Sequence, residues 1–201
     1  MALQYALTHR TNAMSQLYTD IGINAVIKLF TGVPPTNCGT ADTGTTLVTF
    51  AGNATAFGTA ASQVLTASAV ANANAAAAGT AGYFRIYPSA ATTTNAVAQG
   101  LCGANVVIAT SALSAANSNV LTFTATTGVA VGQTVSGVGV VAGSTVVAFT
   151  ATTVTLSLTS TAGVASAASI TFSYDMVLTN TNIAASQTCA FSSLTVTAFG
   201  V

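Results

Sequence analysis

Between Val120 and Phe172 apolar and hydroxyl residues alternate, with Leu121, Phe123, Val154, Leu156, Leu158, Ile170 and Phe172 set between Thr122, Thr124, Thr155, Ser157, Thr159 and Thr171. A period of two puts the two sets on opposite faces of a strand, so each run is expected to form a half-buried strand. Gly128, Gly132, Gly137, Gly139, Gly143 and Gly163 fall between the runs, where a reversing chain often requires φ > 0. No charged residue occurs in the stretch.

The stretch also repeats itself. Leu121-Thr122-Phe123-Thr124-Ala125-Thr126-Thr127-Gly128-Val129-Ala130 matches Leu156-Ser157-Leu158-Thr159-Ser160-Thr161-Ala162-Gly163-Val164-Ala165, with apolar, hydroxyl and glycine positions in phase. A solenoid needs about three units to bury a continuous core, so two copies predict a small β-sandwich or barrel instead.

Upstream, Leu3, Leu7, Met14, Leu17 and Ile21 recur at helical spacing, which predicts a short N-terminal helix over Ala2 to Asp20 ending near Gly22. Ile23 to Phe30 reads as a strand stopped by Thr31-Gly32-Val33-Pro34-Pro35, and Thr45 to Phe50 as a second, with a Thr/Ala-rich region from Asn53 to Val70. The alanine tract Ala71 to Gly82 is ambiguous: propensity favours a helix, while its flanks favour a strand. Tyr83 to Pro88 is the strongest aromatic strand, with Tyr83, Arg85 and Tyr87 on one face and Phe84 and Ile86 on the other. Ala96 to Ile108 is expected to form one strand, Asp175 to Thr179 another, Asn180 to Ser186 a turn, and Ala190 to Phe199 the last strand, carrying Leu194, Val196 and Ala198.

The fold class is therefore mainly β: an antiparallel β-sandwich or barrel domain with a short N-terminal helix and an inserted small β module. Residues 1–109 and 173–201 are assigned to the outer domain and residues 110–172 to the module, with the insertion expected at a hairpin tip.

Charge narrows the function. Only 3% of the residues are charged, against roughly 25% in ordinary soluble domains. The three basic and three acidic side chains build no stripe for a phosphate backbone, so nucleic acid is not an expected partner. Nor is a membrane: no apolar run reaches the roughly 18–20 residues of a spanning helix. A transmembrane barrel is compatible with alternation alone, but Met1 to Arg10 lacks the charged start and apolar core of a secretory signal. A neutral surface of Thr, Ser, Ala and Asn removes self-repulsion and favours association.

Each candidate for chemistry has a plainer reading. His9 is the single histidine and would have to serve any Ser-His-Asp arrangement, but it is expected on the helix surface. Asp20, Asp42 and Asp175 are all the carboxylates of the chain, too few for a glycosidase pair with supporting groups or for a calcium cage. Asp42-Thr43-Gly44 echoes the aspartic-protease signature, though the second such aspartate is missing from the chain and would have to come from a homodimer, and the tripeptide also suits a turn. Gly137-Val138-Gly139-Val140-Val141-Ala142-Gly143 resembles a dinucleotide loop but is followed by Ser144-Thr145-Val146-Val147, which opens no helix.

Arg85 is expected to be structural, stacking on tyrosine or pairing with an aspartate. Cys38, Cys102 and Cys189 lack metal-site spacing and read as buried free thiols, with one oxidised pair as the alternative outside a cell. No catalytic, cofactor-binding or metal-binding residue is assigned, and the chain is read as a non-enzyme.

Several segments resemble a family of small structural proteins of tailed bacteriophages. They are Met1-Ala2-Leu3-Gln4-Tyr5, Ala25-Val26-Ile27-Lys28-Leu29-Phe30-Thr31-Gly32, Ala56-Phe57-Gly58-Thr59-Ala60-Ala61-Ser62, Gly79-Thr80-Ala81-Gly82-Tyr83-Phe84-Arg85-Ile86-Tyr87, and Leu178-Thr179-Asn180-Thr181-Asn182-Ile183-Ala184. Thr126-Thr127-Gly128-Val129-Ala130-Val131-Gly132-Gln133-Thr134-Val135 is similar to repeats of phage surface proteins, and the module is what departs from the compact family members. The resemblance implies a virion component assembled in the bacterial host cytoplasm: a capsid decoration or cement protein. Its expected partners are the major capsid protein, other virion proteins and copies of itself in a homo-oligomer, a trimer among the closed forms. The alternative is a tail or spike module that recognises host glycans, with Tyr83 and Tyr87 stacking on sugars.

Overall fold

The computed structural model describes residues 6–52, 57–61, 64–67, 70–88 and 95–197. Leu3 of the expected helix, Ala198 of the expected last strand and the Met1–Tyr5 phrase lie outside them. The fold is mainly β with one N-terminal helix, as the alternation predicts.

The chain divides into two compact units: residues up to Ala104 with those from Asp175 onward, and Asn105–Tyr174. The expected strand over Ala96 to Ile108 is in fact two, β6 (Ala98–Gly103) and β7 (Val106–Ala109), broken where the chain passes between units. β7 therefore belongs to the inserted module, not to the outer domain.

In the outer unit, α1 (Leu7–Ile21) buries only Met14 and Ile21. Its mid-helix hydroxyls bond back one turn, Ser15 to the Thr11 carbonyl and Thr19 to that of Ser15, both at 3.0 Å. Gly22 ends it with φ 66° and its N–H on the Tyr18 carbonyl. β1 (Val26–Thr31) starts later than the apolar pattern suggests, because Asn24 turns the chain at φ 59°.

β2 (Thr46–Ala51) and β5 (Gly79–Tyr87) flank β1 in antiparallel register, with Lys28 opposite both Thr49 and Arg85. An eight-stranded sheet follows the order β2-β1-β5-β6-β13-β16-β3, where β3 is Val64–Thr66, β13 Met176–Leu178 and β16 Phe191–Thr197. β14 (Asn182–Ile183), inside the expected turn, pairs with β5. Its buried face carries Ile27, Leu29, Phe50, Phe84, Ile86 and Met176, with Phe50 edge-on to Phe191 at 5.3 Å.

The alanine tract resolves into strand. β4 (Ala73–Asn74) pairs with β15 (Thr188–Cys189), residues 75–78 bend the chain, and residues 79–82 open β5. Close backbone approach decides this over propensity: a Cβ on Gly82 would lie 2.0 Å from the Gly32 carbonyl oxygen.

One pairing in the outer unit is parallel, with Met176 opposite Cys102 and Val177 opposite Gly103. These strands, β6 and β13, are the two that flank the module. The insertion is thus not at a hairpin tip; parallel neighbours need a long crossover, and the whole module supplies it.

The module holds β7, β8 (Ser118–Thr122), β9 (Thr134–Gly137), β10 (Val146–Phe149), β11 (Thr153–Ser160) and β12 (Ser169–Ser173). They form two three-stranded sheets, β10-β11-β8 and β7-β12-β9. Bridges from Thr110 to Phe123 and from Thr134 to Thr145 join both pairs of edges, so the six strands close into a barrel. Its interior is filled by Leu121, Phe123, Val135, Val154, Ile170 and Phe172, with the Phe123 and Phe172 rings 5.7 Å apart. Leu158 departs from the alternation and is 39% exposed, because the register of β11 against β8 slips between Thr155 and Ser160.

Candidate functional site

Tyr83, Arg85 and Tyr87 share one face of β5, as the period of two requires, but that face is not open to solvent. The loop from Pro34 to Thr45 covers it, and Arg85 is fully buried at 0% exposure. Burying a guanidinium is costly unless its donors are met.

Nη1 donates to the Thr40 carbonyl at 2.9 Å and to Asp42 Oδ1 at 2.5 Å; Nη2 donates to the Cys38 carbonyl at 2.5 Å and to that of Asn37 at 3.5 Å. The planar fork therefore holds three loop carbonyls and a carboxylate at once, which a lysine could not do. Arg85 pairs with an aspartate, as its setting in the sequence suggests.

Both tyrosines extend the clamp. Tyr87 donates its hydroxyl to the same Asp42 oxygen. Burial, and then the hydrogen bond to Asp42, push the Tyr87 phenol well above its ordinary range. Lys28 sits 4.8 Å above the Tyr87 ring centroid. Tyr83 stacks on Phe30 at 4.9 Å, and its hydroxyl donates to the Thr43 carbonyl at 2.5 Å while accepting from the Thr43 N–H at 3.0 Å.

The Asp42-Thr43-Gly44 segment is accounted for residue by residue. Asp42 takes the ion pair and Thr43 the tyrosine. Gly44, at φ 70°, approaches Thr31 so closely that a Cβ would meet its carbonyl oxygen at 2.2 Å. Asp42 is thus paired with a cation, not with a second carboxylate sharing a proton as the protease signature needs. The sequence gives no warning of the carbonyls of Asn37, Cys38 and Thr40, or of Gln99, which donates from β6 to the Pro35 carbonyl at 2.7 Å. Backbone acceptors have no residue-type signature; the one available signal is that a lone arginine between tyrosines in a charge-poor chain has few carboxylates to choose from.

The other candidates lie apart. His9 is exposed on α1. Asp20, at the far end of that helix, accepts from Gln16 Nε2 at 2.8 Å. Asp175 stands where the chain re-enters the outer unit and accepts from the Leu101 N–H at 3.0 Å through Oδ2. The residue as a whole is exposed, yet Oδ2 packs so close to Gly100 that a Cβ there would be 2.6 Å away. Local desolvation raises its pKa, opposed by the Leu101 bond.

Among the described residues no three of His, Cys, Asp and Glu come together as a metal site. The glycine-rich Gly137–Gly143 segment connects β9 to the strand β10, so no helix N-terminus faces it.

All three cysteines are free thiols. Cys102 and Cys189 are buried, while Cys38, expected to be buried, is only half so because its loop lies at the surface. Burial pushes the Cys102 thiol up to about 12 and raises that of Cys189, leaving both protonated and poorly nucleophilic at neutral pH. A recess of about 40 Å³ beside Cys189, lined by Leu29, Leu178 and Ile183, has room for water rather than a metabolite. The chain matches no protein-family model, and no curated protein or solved structure matches it either.

Proposed function

We propose that the protein is a non-enzymatic structural component of a tailed-bacteriophage virion: a capsid decoration or cement protein that docks on the major capsid protein and associates with its own copies. The observation that carries this reading is how the outer unit uses its few ions. The Arg85–Asp42 ion pair braces a loop from within, and the surface left for contact carries few charges. Such a surface is matched by shape and buried area rather than by charge pairing. The segments resembling the phage family, apart from the Thr126–Val135 phrase of the module, belong to the same unit.

Recognition of host glycans draws no support from Tyr83 and Tyr87, which are 0% and 1% exposed and present no ring face to a sugar.

Cosedimentation with assembled, undecorated capsid shells tests the proposal, followed by electron microscopy of the decorated particles. Saturable binding and added density at symmetry-related positions on the shell are expected. A chain that remains monomeric and stays in the supernatant at every shell concentration overturns it.

A further inference from the structure

The two sequence copies in the module are related by an approximate two-fold axis, which shows in the ladders. Residues 35 positions apart, Val120 and Thr155, lie directly opposite each other in the β8–β11 pair, and so do Ser136 and Thr171 in the β9–β12 pair. Equivalent residues face each other across antiparallel strands only when a two-fold passes between them.

The seams are similar, shifted by one residue on one side. Thr110 exchanges backbone bonds with Ala167 and Ala168 at 2.8 and 3.0 Å, and Val146, 36 positions after Thr110, exchanges a like pair with Gly132 and Gln133 at 2.9 Å each. Gly132 and Ala167, again 35 apart, both have positive φ, 93° and 61°.

The first copy contributes β7, β8 and β9, and the second β10, β11 and β12. Of the six neighbour relations around the barrel, four join strands from different copies: β8 with β11, β9 with β12, β7 with β12, and β9 with β10. Only β7 with β8 and β10 with β11 lie within a copy. Neither copy can therefore satisfy its own backbone or bury its own apolar face. Each is completed by the other.

The copies differ at the core in a way that decides which halves fit. Phe172 fills the centre from β12, and its equivalent on β9 is Gly137, where even a Cβ would come 2.6 Å from Ile170 Cδ1. Conversely, Phe123 of the first copy has Leu158 as its equivalent in the second, so unlike copies bring together the Phe123 and Phe172 rings that pack 5.7 Å apart, whereas like copies would supply two of one and none of the other. The connection between copies, Val138–Ser144, has Val138 84% exposed and two positive-φ glycines, Gly139 and Gly143, the latter with open space where a Cβ would stand.

We propose that the module is a coupling device between two copies of this chain: the first half of one chain's barrel closes with the second half of another's, giving two complete barrels joined by extended 138–144 connections. Because β13 follows β12 after two residues, its parallel pairing with β6 is exchanged as well. The four inter-copy ladders are then made between chains and the two intra-copy ones are kept. What opening the connection gives up is its own turn bonds, Val140 N–H to the Gly137 carbonyl and Ser144 N–H to the Val141 carbonyl, and the Ser160 bond to the Gly139 carbonyl; exchange is favoured where chains are concentrated. The inference rests on the module's topology alone and not on the virion reading, so capsid binding can fail while strand exchange succeeds.

The test uses the full-length chain carrying Val120→Cys and Thr155→Cys, refolded over a range of concentrations and then oxidised, with the bond between the two introduced thiols located by peptide mass. Exchange predicts that the interchain share of that bond rises with chain concentration and that the cross-linked species has twofold mass. A bond that is intrachain at every concentration overturns the proposal. A second measurement identifies the halves: Leu121→Asp damages the first copy and Val154→Asp the second, and co-refolding the two is expected to yield a mixed dimer with one protease-resistant barrel, which neither variant forms alone.

Discussion

The outer unit and the module hold their surface loops by opposite means. In the outer unit one arginine reaches across from β5 and gathers a loop by its carbonyls and its single carboxylate. In the module, which contains no Asp, Glu, Lys, Arg or His at all, loops are held by backbone bonds, hydroxyls and left-handed glycines. Gln133 takes the Ala130 N–H at 2.7 Å, and Ser160 donates to the Gly139 carbonyl at 2.7 Å. The first device concentrates stability in one residue. The second spreads it over short contacts repeated by duplication, so the two units should respond differently to mutation.

The largest effect is expected from Arg85→Met. It leaves the Asp42 carboxylate with Tyr87 as its donor and takes the Arg85 donor from the Cys38 and Thr40 carbonyls. Removal of one partner of a buried ion pair costs about 3–5 kcal/mol, the lower end applying because Asp42 keeps some exposure. Urea denaturation should show that loss in the outer unit, and hydrogen exchange should show residues 36–43 deprotected. A loss below about 1 kcal/mol would mean that the clamp is dispensable and would weaken the contrast between the units.

Next come the paired glycines of the module. Gly128→Ala and Gly163→Ala both force φ near +80° on an alanine, at about 1–2 kcal/mol each. Gly163→Ala should be the worse, because its Cβ meets the Ser114 carbonyl oxygen at 2.6 Å, whereas that of Gly128 meets the yielding Val106 methyl at 2.7 Å. Thermal melts of the two variants check the order; equal losses would show that the copies are interchangeable at this turn.

Smaller and of opposite sign is Ala167→Gly. The repeat places glycine at the equivalent Gly132, and Ala167 carries φ 61° against its own preference. Relief of that strain, less the added unfolded-state entropy, should stabilise the module by up to about 1 kcal/mol.

The smallest effect concerns Asp175. Its folded pKa is raised, so its contribution favours the fold below the ordinary carboxylate pKa of about 3.9 and is lost as pH rises through the folded value. Asp175→Asn should therefore melt slightly higher than the parent at pH 7, and the difference should vanish near pH 4. A variant that melts lower at pH 7 would indicate that the charge on Asp175, bonded to Leu101, stabilises the crossover.

Legibility followed the range of the interactions. The module was readable because alternation and repetition are local: Leu121, Val154, Leu156 and Ile170 are buried as their spacing requires. Leu158 was misread because a register slip is a property of two strands, not of one. The sharing of one face by Tyr83, Arg85 and Tyr87 was likewise readable, and so was an aspartate partner for Arg85. That this face is covered was not, since the loop that covers it is held by carbonyl oxygens, which every residue possesses. The parallel β6–β13 pairing and the placement of β7 in the module escaped for the same reason: strand direction and neighbour choice are settled by contacts between segments far apart in the chain.

By itself, then, the order of residues determined a strand-rich chain with one helix, an inserted duplicated module and a near absence of ions, because periodicity and composition act through nearest neighbours. Only the folded arrangement decided that the duplicate halves interleave into one closed barrel, that the barrel occupies a crossover, and that the Arg85–Asp42 ion pair faces inward. Those outcomes depend on which distant backbones approach each other, and the free energy of such an approach belongs to neither segment alone.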